Sequence, residues 1–143
     1  WEKNPKLMYL GMQDQWYTFS MFDAQAWYAR DIILDKITLP TFSEMQAHTL
    51  EWHEKETAQD DVSYAIDFQG SYTQMLIDET DSPNFDIKGV NRTFMDWKHN
   101  KKDGIMTFRD KSHASLMTGT ESPPHHTPWL EALDDSLESY LDI

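Results

Sequence analysis

The residues best suited to bind a ligand lie in a short segment, 11–18, that follows the apolar run 6–10. Pro5 before this run and Gly11 after it are typical of a strand, and its lack of alternation indicates burial on both faces. In an open α/β sheet the turn after such a strand binds ligands, and glycine lets the backbone approach them closely. The turn offers Asp14, Gln15 and Thr18. Taken alone, these residue types more often form a turn aspartate, an exposed amide and a helix cap.

Other kinds of site are disfavoured by the composition. The chain of 143 residues has no Cys, which excludes disulfides, thiolate zinc sites and a cysteine nucleophile. Its net charge of −13 disfavours binding to nucleic acids and to anionic membranes. His125 and His126 are adjacent and diverge, while His48 and His53 are five apart, so we predict no metal site. No apolar run reaches the roughly 18 residues of a membrane span, and we expect a cytoplasmic location.

Helical patterns dominate the elements that must position the turn. They cover residues 19–36, 42–56, 71–80, 91–102 and 127–141. In the first helix, the spacing predicts a buried stripe from Phe19 to Ile33 and a second one that includes Met21. Thr41 and Glu44 form a capping box for the second helix. Residues 62–69 are ambiguous between strand and helix.

A lone strand at 6–10 needs neighbours, because isolated strands leave their backbone N–H and C=O groups unpaired. The sequence contains no further strand–helix units that would bring such neighbours. We therefore expect the chain to be part of a longer protein that supplies the sheet. The alternative is an all-helical domain in which 6–10 is a packed loop.

Long motifs in the chain resemble the flavin-containing monooxygenase family. The segment 5–19 carries the resemblance, and Asp23-Ala24-Gln25-Ala26 matches the family's Asp-x-Gln-Ala motif. Further segments are similar to the carboxyl-terminal third of one bacterial subfamily of amine-oxygenating enzymes: 94–98, 105–110, 117–120, 125–129 and 132–138. The family's two GxGxxG fingerprints are absent, since the five glycines never approach that spacing.

The resemblance implies an α/β protein with two dinucleotide-binding domains, for FAD and NADPH. This chain would be mostly helical, with one strand–helix unit (1–38) that completes the FAD-binding domain. Residues 39–143 would be an extension that packs on the cofactor cleft. The implied activity is oxygenation of small tertiary amines, such as trimethylamine, by O2 to the N-oxide. The implied partner is the amino-terminal remainder of the same enzyme, and the implied assembly is a homodimer.

The resemblance also assigns individual roles. Gln15 and Thr18 match positions that contact FAD, and Asp14 matches a position that lines the catalytic cleft for substrate and nicotinamide. Trp97 and Arg109 match positions that contact NADP. Without the resemblance, Trp97 reads as a core residue of a short helix, and Arg109 as the partner of a neighbouring carboxylate, Asp110 or Asp96.

A different function class fits the composition as well. An acidic, aromatic-rich helical chain is also typical of a non-enzymatic module that docks to a partner protein. This reading requires no cofactor.

Overall fold

The computed structural model describes residues 3–4, 6–11 and 16–121. In these ranges the chain is mostly helical, as predicted. Four α-helices follow one another: α1 (Thr18–Ile33), α2 (Phe42–Thr57), α3 (Val62–Asp78) and α4 (Ile87–Asp103), with a short 3₁₀ helix at Phe108–Asp110. The chain divides into two compact units, Trp1–Asn91 and Arg92–Ile143. In the first unit, α1 and α2 both pack against α3.

The segment before α1 is not a strand, so the prediction of a strand buried on both faces at 6–10 is wrong for this chain. Leu7, Tyr9 and Leu10 are 37%, 57% and 49% exposed, and the described part of 6–10 has irregular backbone. A strand requires a hydrogen-bonded neighbour, and in the described ranges the sole β pairing is an isolated bridge between Ala114 and Glu121. The predicted strand–helix unit is therefore represented here by its helix alone.

Helix α1 buries one stripe of side chains rather than two. Met21 and Ala24 are 0% and 1% exposed, whereas Phe19 and Ile33 at the ends of the other predicted stripe are 79% and 71% exposed. The expectation that the stripe from Phe19 to Ile33 would be buried is therefore wrong. A helix that packs chiefly on one neighbour can bury only the face turned toward it, and α1 packs on α3.

Helix α2 begins with the predicted capping box. The Thr41 hydroxyl accepts a hydrogen bond from the Glu44 amide (3.4 Å), and a Glu44 carboxylate oxygen accepts one from the Thr41 amide (2.8 Å). These bonds from Thr41 hold the pKa of Glu44 below its usual value. The larger apolar side chains of α2 are only partly covered, since Phe42 is 49% exposed and Met45 and Trp52 are half-buried.

Helix α3 resolves the ambiguity at 62–69 in favour of helix and begins earlier than the predicted residue 71. Asp61 caps it by accepting a hydrogen bond from the Tyr64 amide at 2.9 Å. Its buried residues include Ile66, Thr73 and Leu76, which recur at helical rather than alternating spacing. The alternation of apolar residues at 62–68 therefore did not indicate a strand.

Helix α4 begins at Ile87, four residues before the predicted start at residue 91. Asp86 lies just before the helix and accepts a hydrogen bond from the Gly89 amide at 2.9 Å. Asn91 is instead an internal residue, and its side-chain amide donates to the Asp67 carboxylate at 2.6 Å. The predicted last helix, 127–141, lies outside the described residues.

Candidate functional site

Two buried glutamines hold the backbone on either side of the turn that the sequence singles out. The Gly11 N–H donates to Oε1 of Gln25 on α1 at 2.9 Å, and the Trp16 N–H donates to Oε1 of Gln69 on α3 at 2.6 Å. Gln25 and Gln69 are 4% and 7% exposed. Asp14 and Gln15, two of the predicted site residues, lie outside the described residues.

Gly11 occupies a position that other residues would fill at a cost. Its φ of +71° lies in the left-handed region, where glycine is favoured. A Cβ atom at this position would meet Cε1 of the Phe22 ring at 2.9 Å. The glycine is therefore required by the turn and by the ring beneath it, which adds a structural reason to the close approach expected from the sequence.

Gln25 and its neighbours also bound an apolar cavity. The Gln25 side-chain amide donates to the Tyr72 hydroxyl at 3.1 Å. Beside it lies a cavity of about 220 Å³, lined on one side by Met8, Tyr9 and Leu10. Segment 8–10 therefore borders open space beside α1 and α3, and the hydrogen bond from Gly11 to Gln25 ties the residue that follows it to α1.

Tyr17 holds the start of α1 in place through its buried hydroxyl group. Its side chain is 3% exposed, and its hydroxyl donates to the Asn91 side-chain oxygen and lies 3.1 Å from the Ile87 carbonyl oxygen. Burial raises the pKa of Tyr17, and the carboxylates of Asp67 and Asp86 raise it further. Tyr17 is therefore a neutral hydrogen-bond donor at physiological pH.

Thr18 is the first residue of α1 and has an unusual backbone conformation. Its φ is +35°, which is rare for a β-branched residue and costs roughly 1–3 kcal/mol. The cap position of α1 belongs to Tyr17 and carries no side-chain cap bond, so Thr18 does not serve as the cap that its residue type suggested. Thr18 is exposed, and strained residues of this kind cluster at ligand sites.

In the second unit, the structure brings the two predicted NADP-contacting residues to the same phenylalanine. The Trp97 ring meets the Phe108 ring edge to face, with centroids 5.5 Å apart and an interplanar angle of 80°. The Arg109 guanidinium carbon lies 4.6 Å from the Phe108 ring centroid. Phe108 is 4% exposed and so forms a fixed base for both residues.

Two cations lie at this cluster. Arg109 is exposed and forms no ion pair with any carboxylate in the described ranges, so the alternative of a pair with Asp110 or Asp96 is not supported. Lys101 adds a second cation, with its ammonium nitrogen 5.1 Å from the Trp97 ring centroid. An aromatic surface flanked by two cations can bind a planar, anionic ligand.

Sequence reasoning missed several of these residues. Gln25 carried a signal, because it belongs to the Asp-x-Gln-Ala motif. Phe108 lies in the matched segment 105–110 but was not singled out. Gln69 carried no signal, since its role depends on a partner that only the fold brings near. Thr18 belongs to the first unit, and the cluster of Trp97, Phe108 and Arg109 to the second.

Metal sites and membrane spans are the other kinds of feature that the described ranges could contain. No group of three or more His, Asp or Glu side chains there is placed to hold a metal ion. His48 accepts a hydrogen bond from the Trp52 indole at 2.8 Å. None of the described helices has the length and apolar character needed to span a bilayer.

Comparison with known proteins gives long matches to one kind of enzyme. No family model matches the chain. Trimethylamine monooxygenase from Roseovarius nubinhibens is 56% identical over 139 residues, and those from Methylocella silvestris and Pelagibacter ubique are 51% and 49% identical over 140 and 142 residues. These matches cover 96%, 98% and 99% of this chain, but the chain spans only 31–32% of the length of these relatives.

A solved structure agrees with the sequence matches. The crystal structure of Tmm from Pelagibacter sp. strain HTCC7211 superposes with a TM-score of 0.87 at 45% identity, covering 97% of this chain and 32% of that one. The resemblance stated from the motifs is confirmed, and the match extends over nearly the whole chain.

Proposed function

We propose that this chain, which is 44–56% identical to bacterial trimethylamine monooxygenases over nearly all of its length, is the carboxyl-terminal part of such an enzyme. The complete protein would use FAD, NADPH and O2 to convert small tertiary amines to N-oxides. The observation that carries the proposal is this identity together with the matching fold. It favours the enzyme over the non-enzymatic interaction module.

The chain's own residues fit a flavin at the start of α1. A helix amino terminus has unpaired N–H groups and a partial positive charge, which suits the electron-rich edge of a flavin. Thr18 stands there, exposed and strained, and its hydroxyl adds one more donor. The bound flavin would supply the oxygen-activating chemistry, and Thr18 with the first turn of α1 would orient it and stabilise negative charge on it.

The second unit offers a surface for the other cofactor. NADPH is aromatic at its nicotinamide end and anionic at its phosphates. In the proposed site, Trp97 contacts the nicotinamide end and Arg109 supplies a fixed cation, both held by Phe108. Asp14 would face the substrate, where its carboxylate favours a cationic amine.

The remaining features of the proposal concern the complete protein. Residues 1–38 would complete the FAD-binding domain, and 39–143 would extend over the cofactor cleft. This boundary stays a prediction, as do the cytoplasmic location and the homodimer.

The test starts from the parent reading frame. We expect two GxGxxG motifs upstream of Trp1, and we expect the complete protein to oxidise NADPH in the presence of trimethylamine and to release trimethylamine N-oxide. The 143-residue chain alone should show no turnover. Tight FAD binding and NADPH oxidation by this chain alone, or a complete protein without amine-dependent NADPH oxidation, would contradict the proposal.

A further inference from the structure

We propose that Gln69 and Gln25 are positioning residues for the flavin contact at the start of α1, an inference that rests on the proposed function. Neither glutamine needs to touch the cofactor. Gln69 accepts a hydrogen bond from the backbone N–H of Trp16, and Gln25 accepts one from that of Gly11. In this proposal the two bonds set where Thr18 and the first turn of the helix stand.

The strain at Thr18 is the first reason for this proposal. A β-branched residue keeps a positive φ only where its surroundings hold it there. Two residues earlier, the Trp16 N–H is held by Gln69 at 2.6 Å, and the next residue, Tyr17, is held through its buried hydroxyl. The backbone is therefore held at Trp16 and at Tyr17. We infer that the positive φ of Thr18 joins these two residues to the first turn of α1.

The burial of the two amides is the second reason. A glutamine buried to 4% or 7% exposure is costly unless its polar atoms are used. Gln25 uses both ends, since it accepts from Gly11 and donates to Tyr72. The cavity beside segment 8–10 leaves that segment open space on this side, and the bond from Gly11 to Gln25 ties its end to α1.

Gln69 and Gln25 also come from different helices. Gln69 belongs to α3, and Gln25 to α1 itself, two turns beyond Thr18. The segment that leads into α1 is thereby tied both to the helix it enters and to the helix on which α1 packs. A displacement of either bond would move the proposed flavin donors without unfolding a helix.

The experiment uses the complete protein and three matched variants: Gln69→Met, Gln25→Met and, as the control, Gln74→Met. Methionine keeps the length of the side chain but replaces the amide oxygen by a thioether, which is only a weak acceptor. Gln74 lies on the same helix as Gln69, and its side chain bonds Asp78 at 2.7 Å instead of the turn. The measurements are the FAD dissociation constant, the visible circular dichroism of bound flavin, and kcat and KM for trimethylamine.

We expect Gln69→Met to raise the FAD dissociation constant by about 10-fold, because the part-buried Trp16 N–H loses this hydrogen bond and the start of α1 shifts. The flavin circular dichroism should change with it, while Gln74→Met stays within about 2-fold of the wild type. Gln25→Met should act in the same direction. Gln69→Glu and Gln25→Glu restore an acceptor and should recover FAD affinity and the flavin spectrum.

Three results would overturn the inference. In the first, the methionine variants fold and match Gln74→Met in FAD affinity and spectrum. In the second, they lose FAD affinity but the glutamate variants recover none of it, which indicates a general packing role. In the third, the wild-type protein itself binds no FAD, so the proposed function fails and the inference fails with it; the wild-type measurement separates this case from the others.

Discussion

Gly70 offers a sharp test of the packing that holds the start of α1. It is buried in the middle of α3, and a Cβ atom added there would meet Oδ1 of Asn91 at 2.9 Å, and Cγ2 of Ile87 and the Tyr17 hydroxyl oxygen at 3.0 Å. Contacts this short force a neighbour to move. Helix propensity alone predicts the opposite, since alanine stabilises a helix by about 1 kcal/mol relative to glycine.

The structure indicates that the clash outweighs this gain. The Asn91 amide is held on both sides, by the Tyr17 hydroxyl and by the Asp67 carboxylate, so shifting it weakens two hydrogen bonds of about 1 kcal/mol each. Overpacking of a filled site adds about 1–3 kcal/mol. We therefore expect Gly70→Ala to destabilise the first unit by about 2 kcal/mol.

Hydrogen exchange of α3 peptides in the complete protein measures this effect locally. A loss of about 2 kcal/mol corresponds to roughly 30-fold faster exchange. Ser71→Ala, at the exposed neighbouring position, is the control and should leave exchange unchanged or slightly slower. Combining Gly70→Ala with Tyr17→Phe should cost less than the sum of the two changes, because the phenylalanine removes one of the clashing atoms. Slower exchange in Gly70→Ala than in the wild type would refute the reasoning.

Three further predictions concern single groups. Arg109→Ala should raise the NADPH KM by about 10-fold with little change in kcat, because it removes a charged contact. The control Lys102→Ala should leave the KM unchanged. An unchanged KM in Arg109→Ala would exclude Arg109 from the proposed site. Burial raises the pKa of Tyr17 above its usual 10.0, so the free energy of unfolding should fall as the pH rises above about 10, where Tyr17 ionises first in the unfolded chain. In thermal unfolding, Tyr17→Phe should lose less stability than the wild type over this pH range. An identical loss of stability in both proteins would contradict this. Hydrogen bonds from Thr41 lower the pKa of Glu44 from 4.5, so the α2 cap should weaken as the pH falls below about 4.5. In Thr41→Ala, the protection of first-turn amides of α2, taken relative to their intrinsic exchange rates, should be lower at neutral pH and should vary less with pH. Equal protection in both proteins would argue against the cap.

Features that depend on residues three or four apart were readable from the sequence. The box of Thr41 and Glu44 is one, because both of its hydrogen bonds close within a single turn of helix. The helical character of most of the described residues is another, since hydrophobic spacing indicates it directly. The resemblance to amine-oxygenating enzymes also came from contiguous motifs, and it supplied Thr18, Trp97 and Arg109 as candidates that local chemistry alone would have passed over.

Only the tertiary structure decided which helix faces are buried and which buried side-chain amides form hydrogen bonds. Apolar residues lie on most sides of α1, so its sequence could not tell that Met21 would be buried and Phe19 exposed; the position of α3 made that choice. The anchoring of Trp16 joins residues 53 apart in the chain, and no local pattern announces such a bond. Local hydrogen bonds and periodicity are determined by the residues that form them, whereas a buried polar contact exists only once distant helices have packed and removed the competing water.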